Sequence, residues 1–226
     1  MFSCNDSSKK VPQKRFYIIG NTDNITNKTK VVLKTQENNT IITLDSTLVR
    51  NGIFEFEGEI DKPSVYGIYI DSLKNSIGFF IENDSIIIDV NKNNLSDSKI
   101  NGSKLNNQYL NYIKSSNQII SKTNLLYPIF QKARAENNVE RLNKINEKME
   151  AINAENILFT LNYAKKHPNS YIAAFALHSV LNDSSISKDS IFSIYNSFSD
   201  EVKAGDFAIA TLIFIETESI LDTIKN

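Results

Sequence analysis

Tryptophan is absent and cysteine occurs once, at Cys4, in a chain of 226 residues. A single thiol excludes an intramolecular disulfide, Cys-x-x-Cys redox exchange and a thiolate metal cage together. Without tryptophan there is no indole platform for stacking a sugar ring. Histidine is nearly as scarce: His167 and His178 are the two in the chain, and both fall in its second half. A zinc site draws three or four His, Cys or carboxylate ligands into register, and no such set is visible. A Ser-His-Asp triad would have to use one of these two histidines. His178 shares a helical stripe with Tyr171, Ala174 and Leu181, so it reads as a packed, hydrogen-bonded side chain. His167 precedes Pro168 at a helix end, where it can meet the negative end of the helix dipole.

Glycine numbers only seven. There is no glycine-rich phosphate cradle, no Gly-Lys-Ser/Thr and no Gly-x-Ser-x-Gly elbow. No catalytic residue, cofactor site or metal site is therefore assigned, and the chain reads as a non-enzyme. An excess of positive charge is missing as well: 25 Lys and Arg stand against 26 Asp and Glu, for a net charge of −1. Nucleic-acid binding draws on a basic footprint that releases phosphate counterions, and the short cluster Lys9, Lys10, Lys14, Arg15 reads as a solvated segment instead. No apolar run reaches the roughly 20 residues that span a bilayer. The strongest, 207–215, reads as a helix apolar on nearly every face, which predicts enclosure by its neighbours; the alternative is an exposed face formed by Phe207, Thr211 and Phe214.

What is present is enough apolar material for a core, 41% of the chain, at a length that can bury roughly 70% of the unfolded surface. Residues 5–13 are polar and carry a proline, and 1–13 read as a lipoprotein leader or tether. Residues 14–100 carry a period of two: Phe54, Phe56 and Ile60 point one way and Glu55, Glu57 and Glu59 the other. That is a half-buried strand with one wet face. The three glutamates could invite a cation, but a calcium site usually takes its oxygens from a tight loop, so a solvated face is the simpler account. Strands are predicted at 15–19, 30–34, 41–44, 47–50, 54–60, 65–70, 77–81 and 85–90. Between 47–50 and 54–60 stands Asn51-Gly52, both tolerant of positive φ, which signals a type I′ hairpin. Near Asn101-Gly102-Ser103 the period changes to that of a helix.

Leu105, Tyr109, Tyr112, Ser116 and Ile119 form one stripe. Pro128 interrupts the next stretch. A long helix follows over 135–167, with Val139, Leu142, Ile145, Met149, Ile152, Asn156, Phe159 and Tyr163 on one face. The break at Asn156 argues for packing in a bundle over a partner coil. Pro168 ends that helix, Asn169 or Ser170 caps the next at 171–181, and two more follow at 187–198 and 205–223. The fold class is thus α+β: an N-terminal antiparallel β-sandwich or open barrel over 14–100, then a helical bundle over 101–226.

Met1-Phe2-Ser3-Cys4 looks like the end of a lipobox, with a small residue before the cysteine and a polar tether after it. The apolar stretch that precedes such a cysteine is not part of the numbered chain, so the start would lie upstream or the numbering begins inside the signal. This marks Cys4 for lipidation and implies a membrane-anchored protein of the cell envelope, facing the periplasm or the surface. Asp45-Ser46-Thr47, Asp71-Ser72-Leu73, Asp84-Ser85-Ile86, Asp189-Ser190-Ile191 and Asp222-Thr223-Ile224 look like the Asp-Ser/Thr-aliphatic acceptor of a bacterial envelope O-glycosylation system. They mark Ser46, Ser72, Ser85, Ser190 and Thr223, although turn chemistry accounts for several of these pairs.

One further pattern runs through nearly the whole chain. It comprises Phe16-Tyr17-Ile18-Ile19-Gly20, the stretch Asp45-Ser46 to Asn51-Gly52-Ile53-Phe54-Glu55-Phe56-Glu57-Gly58, Pro63, Phe79-Phe80-Ile81-Glu82-Asn83-Asp84 and Asn101-Gly102-Ser103-Lys104-Leu105-Asn106. His167-Pro168-Asn169-Ser170-Tyr171 and Tyr195 to Lys203 continue it. This resembles the domain of unknown function found N-terminal to the thioredoxin-like domain in bacterial thiol–disulfide oxidoreductase lipoproteins. The resemblance implies the fold, the membrane anchor and the envelope location. It brings no redox residue, because the Trp-Cys-x-x-Cys of that neighbouring domain has no counterpart here. Three readings follow. The first is a non-catalytic envelope lipoprotein that binds or assembles with an envelope protein. The second is the accessory half of a thiol–disulfide system whose thioredoxin-like protein is a separate chain or lost. The third is a glycan- or peptide-binding sandwich using loops at one sheet end.

Overall fold

The computed structural model describes residues 15–37 and 40–225, with side chains over 15–36 and 40–217. Two compact units result, Met1–Lys104 and Leu105–Asn226. The first holds eight strands among the described residues: β1 (Phe16–Asn21), β2 (Lys30–Glu37), β3 (Thr40–Leu48), β4 (Ile53–Gly58), β5 (Ser64–Ile70), β6 (Ile77–Ile81), β7 (Ser85–Asp89) and β8 (Lys99–Asn101). They form two four-stranded sheets, ordered β4-β1-β7-β8 and β3-β2-β5-β6. Inward residues of both sheets meet in one core, with Ile18, Leu33, Phe54, Ile68, Phe79, Ile86 and Ile88 all buried. Strict alternation in β1, β4 and β7 produces this, since every second residue of a strand faces the same way.

The unit departs from the sequence expectation in three places. It is not wholly antiparallel, because β1 pairs in parallel with β7, Tyr17 opposite Ser85 through Asn21 opposite Asp89. A parallel partner needs a long crossover, and the excursion through β2–β6 supplies it. The runs 41–44 and 47–50 are not two strands: β3 is continuous from Thr40 to Leu48, bent where its register against β2 shifts between Leu33 and Lys34. Finally, Asn51 (φ 51°) and Gly52 (φ 78°) adopt the expected positive φ, but no full hairpin grows from them. Arg50 and Ile53 exchange hydrogen bonds of 2.8 and 3.0 Å, and beyond that bridge β3 stays with one sheet and β4 with the other.

The second unit is helical: α1 (Lys104–Ile120), α2 (Tyr127–Ala135), α3 (Val139–Lys166), α4 (Tyr171–Ser179), α5 (Lys188–Ser197), α6 (Asp200–Lys203) and α7 (Asp206–Lys225). Pro128 does not break a helix; it sits in the first turn of α2, where its missing N–H costs nothing. The α3 stripe is buried or half-buried from Leu142 to Tyr163, while Val139 is exposed. Asn156 keeps its place in that stripe because Ser116 Oγ on α1 donates to its Oδ1 at 2.8 Å. Ser170, rather than Asn169, caps α4 by accepting from the Ile172 N–H. Helix α7 corrects a prediction. Its apolar run is not enclosed: Ala208 and Thr211 are buried, whereas Ile209 and Ile213, one turn apart, are 43% and 57% exposed. The open face is therefore not the one formed by Phe207, Thr211 and Phe214.

Candidate functional site

Cys4 lies outside the described residues, as does the side chain of Thr223 on α7. The other marked hydroxyls are exposed. Ser46 stands on β3 and Ser85 opens β7. In each, the preceding aspartate accepts from the serine N–H, Asp45 Oδ1 and Asp84 Oδ1 both at 2.7 Å. Ser72 occupies a turn at φ 69°. Ser190 Oγ lies 2.8 Å from Ser187 Oγ, the capping residue of α5. Local bonds from the aspartate thus account for the Asp-Ser pairing at Ser46 and Ser85.

Glu55 and Glu57 are exposed on the outer face of β4. Arg15 reaches Glu57 at 3.6 Å and Glu59 at 3.9 Å. Among the described residues no group of three or more His, Cys, Asp or Glu is placed to hold a metal ion. His167 caps α3, with Nδ1 2.8 Å from the Tyr163 carbonyl oxygen and its ring stacked on Tyr163 at 4.3 Å. His178 packs against Phe207 at 5.4 Å, and burial pushes its pKa below the usual histidine value. Among the described residues neither histidine is hydrogen-bonded to a serine, threonine or cysteine side chain.

Two hollows stand out instead. The first belongs to the β unit and opens where β3 and β4 part. It encloses about 410 Å³ between Asp45, Ser46 and Thr47 on β3 and Glu55, Phe56 and Glu57 on β4, with Tyr17 and Ile19 of β1 alongside. Both β3 and β4 are sheet edges, with no further strand beside them among the described residues. Thr22 N–H donates to the Gly52 carbonyl at 2.7 Å, so Gly52, Phe54 and Phe56 form the bonded pairs with β1. The main-chain groups of Glu55 and Glu57 must then point away from β1, by the alternation of an antiparallel ladder. Val49 N–H donates to the Thr29 carbonyl at 2.9 Å, and the same alternation turns Ser46 and Leu48 away from β2. Asp45 already caps the Ser46 N–H, which guards one point of the β3 edge; among the described residues the β4 edge has no such guard at Glu55 and Glu57.

The second hollow belongs to the helical unit. About 430 Å³ lies between α1, α3 and the end of α4, and its polar lining is Ser116, Asn153, Asn156, Ser179, Asn182 and Asp183. Asn153 Nδ2 donates to Asp183 Oδ2 at 3.2 Å. Asp183 also accepts from Ser185 N–H at 2.9 Å and Ser185 Oγ at 2.6 Å, and these bonds hold its carboxyl below the usual range. Sequence reading singled out neither hollow. Asn, Ser and Glu on strands and helices look like solvated surface, and only the parting of two strands or the crossing of three helices makes them converge.

No helix of the described residues is long and apolar enough to cross a membrane. No curated protein and no solved structure matches the chain significantly. Residues 16–109, which take in all the strands of the β unit and the start of α1, match the family model described as Domain of unknown function (DUF4369).

Proposed function

We propose that the chain is a non-catalytic binding or assembly module of the bacterial cell envelope, tethered through a lipidated Cys4, and that it meets an extended segment of a partner protein at the β3/β4 opening. The supporting observation is the edge of β4, which carries no further strand among the described residues. Main-chain N–H and C=O groups at Glu55 and Glu57 point into a hollow, beside the exposed side chains of Tyr17 and Ile19. A bare strand edge is a template for strand addition: the main chain supplies affinity and alternate side chains supply selectivity. The carboxylates of Asp45, Glu55 and Glu57 favour a segment carrying lysine or arginine. The lone thiol fits a non-catalytic role, because disulfide exchange of the thioredoxin type needs an attacking and a resolving sulfur.

A photo-crosslinking residue at Ser46, in cells, tests the docking. The expected result is a discrete adduct that disappears with Glu55→Lys and Glu57→Lys. An adduct unaffected by both charge reversals would refute the assignment. Anchoring is read separately. The full-length precursor should incorporate labelled palmitate and partition into membranes, and Cys4→Ala should abolish both; several acyl chains anchor stably where one does not. Insulin reduction by a protein lacking Cys4 would refute the non-catalytic reading. The exposed Ser46, Ser72, Ser85 and Ser190, together with Thr223, are proposed acceptors of envelope O-glycans, and an intact native mass with no added hexose would remove that proposal.

A further inference from the structure

We infer that the hollow of the helical unit binds a neutral saccharide. This rests on the binding-module reading above but uses a different site, on the other unit, with its own readout. The volume, about 430 Å³, falls in the range of small-molecule sites.

Charge narrows the ligand class first. Among the described residues that line the hollow, Asp183 is the one charged at neutral pH. None of the described lining residues is lysine or arginine, so a phosphate or carboxylate ligand would meet repulsion without a counter-charge. A lone carboxylate with neutral amides is also too poor a set for a divalent cation, which draws several oxygen ligands with more charge among them. A neutral, polar ligand remains.

Hydrogen-bonding capacity narrows it further. Asn156 Oδ1 is taken by Ser116 Oγ, which leaves Nδ2 as a donor toward the hollow. Asn153 Nδ2 is committed to Asp183, which leaves Asn153 Oδ1 as an acceptor. Asp183 is itself acceptor-only while ionised. Asn182 is exposed and adds both a donor and an acceptor. The lining therefore offers both donors and acceptors. A sugar diol matches that mixture, because each hydroxyl can donate to one group while accepting from another. Phe175 completes the site with an apolar wall, half-buried and braced edge-on by Tyr112 at 6.3 Å and by Phe207 at 5.2 Å. The C–H face of a pyranose can lie against it. The wall is a phenyl ring on a helix, so the absence of tryptophan does not preclude ring contact.

The test is a titration of the full chain with D-glucose, D-galactose, N-acetyl-D-glucosamine and maltose, followed by amide chemical shifts. At least one of these should shift the signals of Asn156, Asn182 and Asp183 in a saturable way. Asn182→Ala, which removes no side-chain hydrogen bond among the described residues, should weaken that binding about tenfold. Glucose 6-phosphate should bind no better than glucose. No saturable shift with any of the four sugars at about 50 mM would overturn the inference, as would binding unchanged by Asn182→Ala or tightened by the phosphate. Crosslinking at Ser46 reads the β unit alone, so the two proposals can fail independently.

Discussion

In the β unit the buried side chains are large. Phe54, Phe79, Ile18, Leu33, Ile68, Ile86 and Ile88 fill the space between the two sheets. In the helical unit much of that role falls to alanine: Ala164, Ala173, Ala174, Ala176 and Ala208 are all buried, and α4 packs on both α3 and α7. The second interior also holds polar pairs, with Tyr112 Oη 3.2 Å from Thr160 Oγ1 and Ser116 bonded to Asn156. The contrast follows from backbone geometry. Stacked sheets stand about 10 Å apart and need bulky residues to fill the gap, whereas helices approach as closely as the contact side chains allow. The β interior is therefore sensitive to lost volume and the helical interior to added volume.

The largest effect expected from that contrast is at Phe54. Its ring covers Gly20, where a Cβ would come within 2.0 Å of a ring carbon. Phe54→Ala should cost about 3–5 kcal/mol in urea denaturation, and Gly20→Ala about 1–3 kcal/mol or more from overpacking. The double variant should cost clearly less than the sum, since the added methyl enters the space the ring leaves. Additive costs would show that the two residues do not share that space. Next comes Ala164→Leu on α3, expected to cost about 1–3 kcal/mol by forcing helices apart. If it proved neutral, the close approach ascribed to alanine would be wrong.

A smaller change tests the polar pairs. Tyr112→Phe strands the Thr160 hydroxyl in a buried place and should cost about 1–2 kcal/mol, with much of it recovered on adding Thr160→Val. A double variant no more stable than the single one would mean that the ring packing, and not the hydrogen bond, matters at that point. The smallest expected effect concerns pH. Burial lowers the pKa of His178 in the folded state, so the unfolded chain takes up that proton more readily. Stability is then intact above the unfolded pKa, near 6.5, and falls as pH drops from there toward the depressed folded value. The urea midpoint should drop between pH 7.5 and 5.5, and His178→Gln should flatten the drop. A slope unchanged in the variant would place the titration elsewhere.

Much of the local structure was legible in the sequence. The period of two across 54–60, the positive φ at Asn51-Gly52, the stripe from Leu142 to Tyr163 and the cap at Ser170 follow from side-chain direction and turn chemistry, which act over a few residues. The three-residue β8 and four-residue α6 were missed because so short an element carries no period to detect. The exposed Ile209 and Ile213 were missed for another reason: apolar content reports a preference for burial without saying which side finds a neighbour.

The sequence by itself determined the α+β fold class, and its one cysteine, two histidines and seven glycines limit which sites these residues can build. Tertiary structure alone decided that β3 and β4 part after the Arg50–Ile53 bridge, that β1 takes a parallel partner in β7, and that Asn153, Asn156, Asn182 and Asp183 share one hollow. Each of these joins residues through contacts between separate elements, or between strands distant in sequence. Local propensity reaches a few residues along the chain, whereas sheet order and helix crossing are set by how whole faces bury one another.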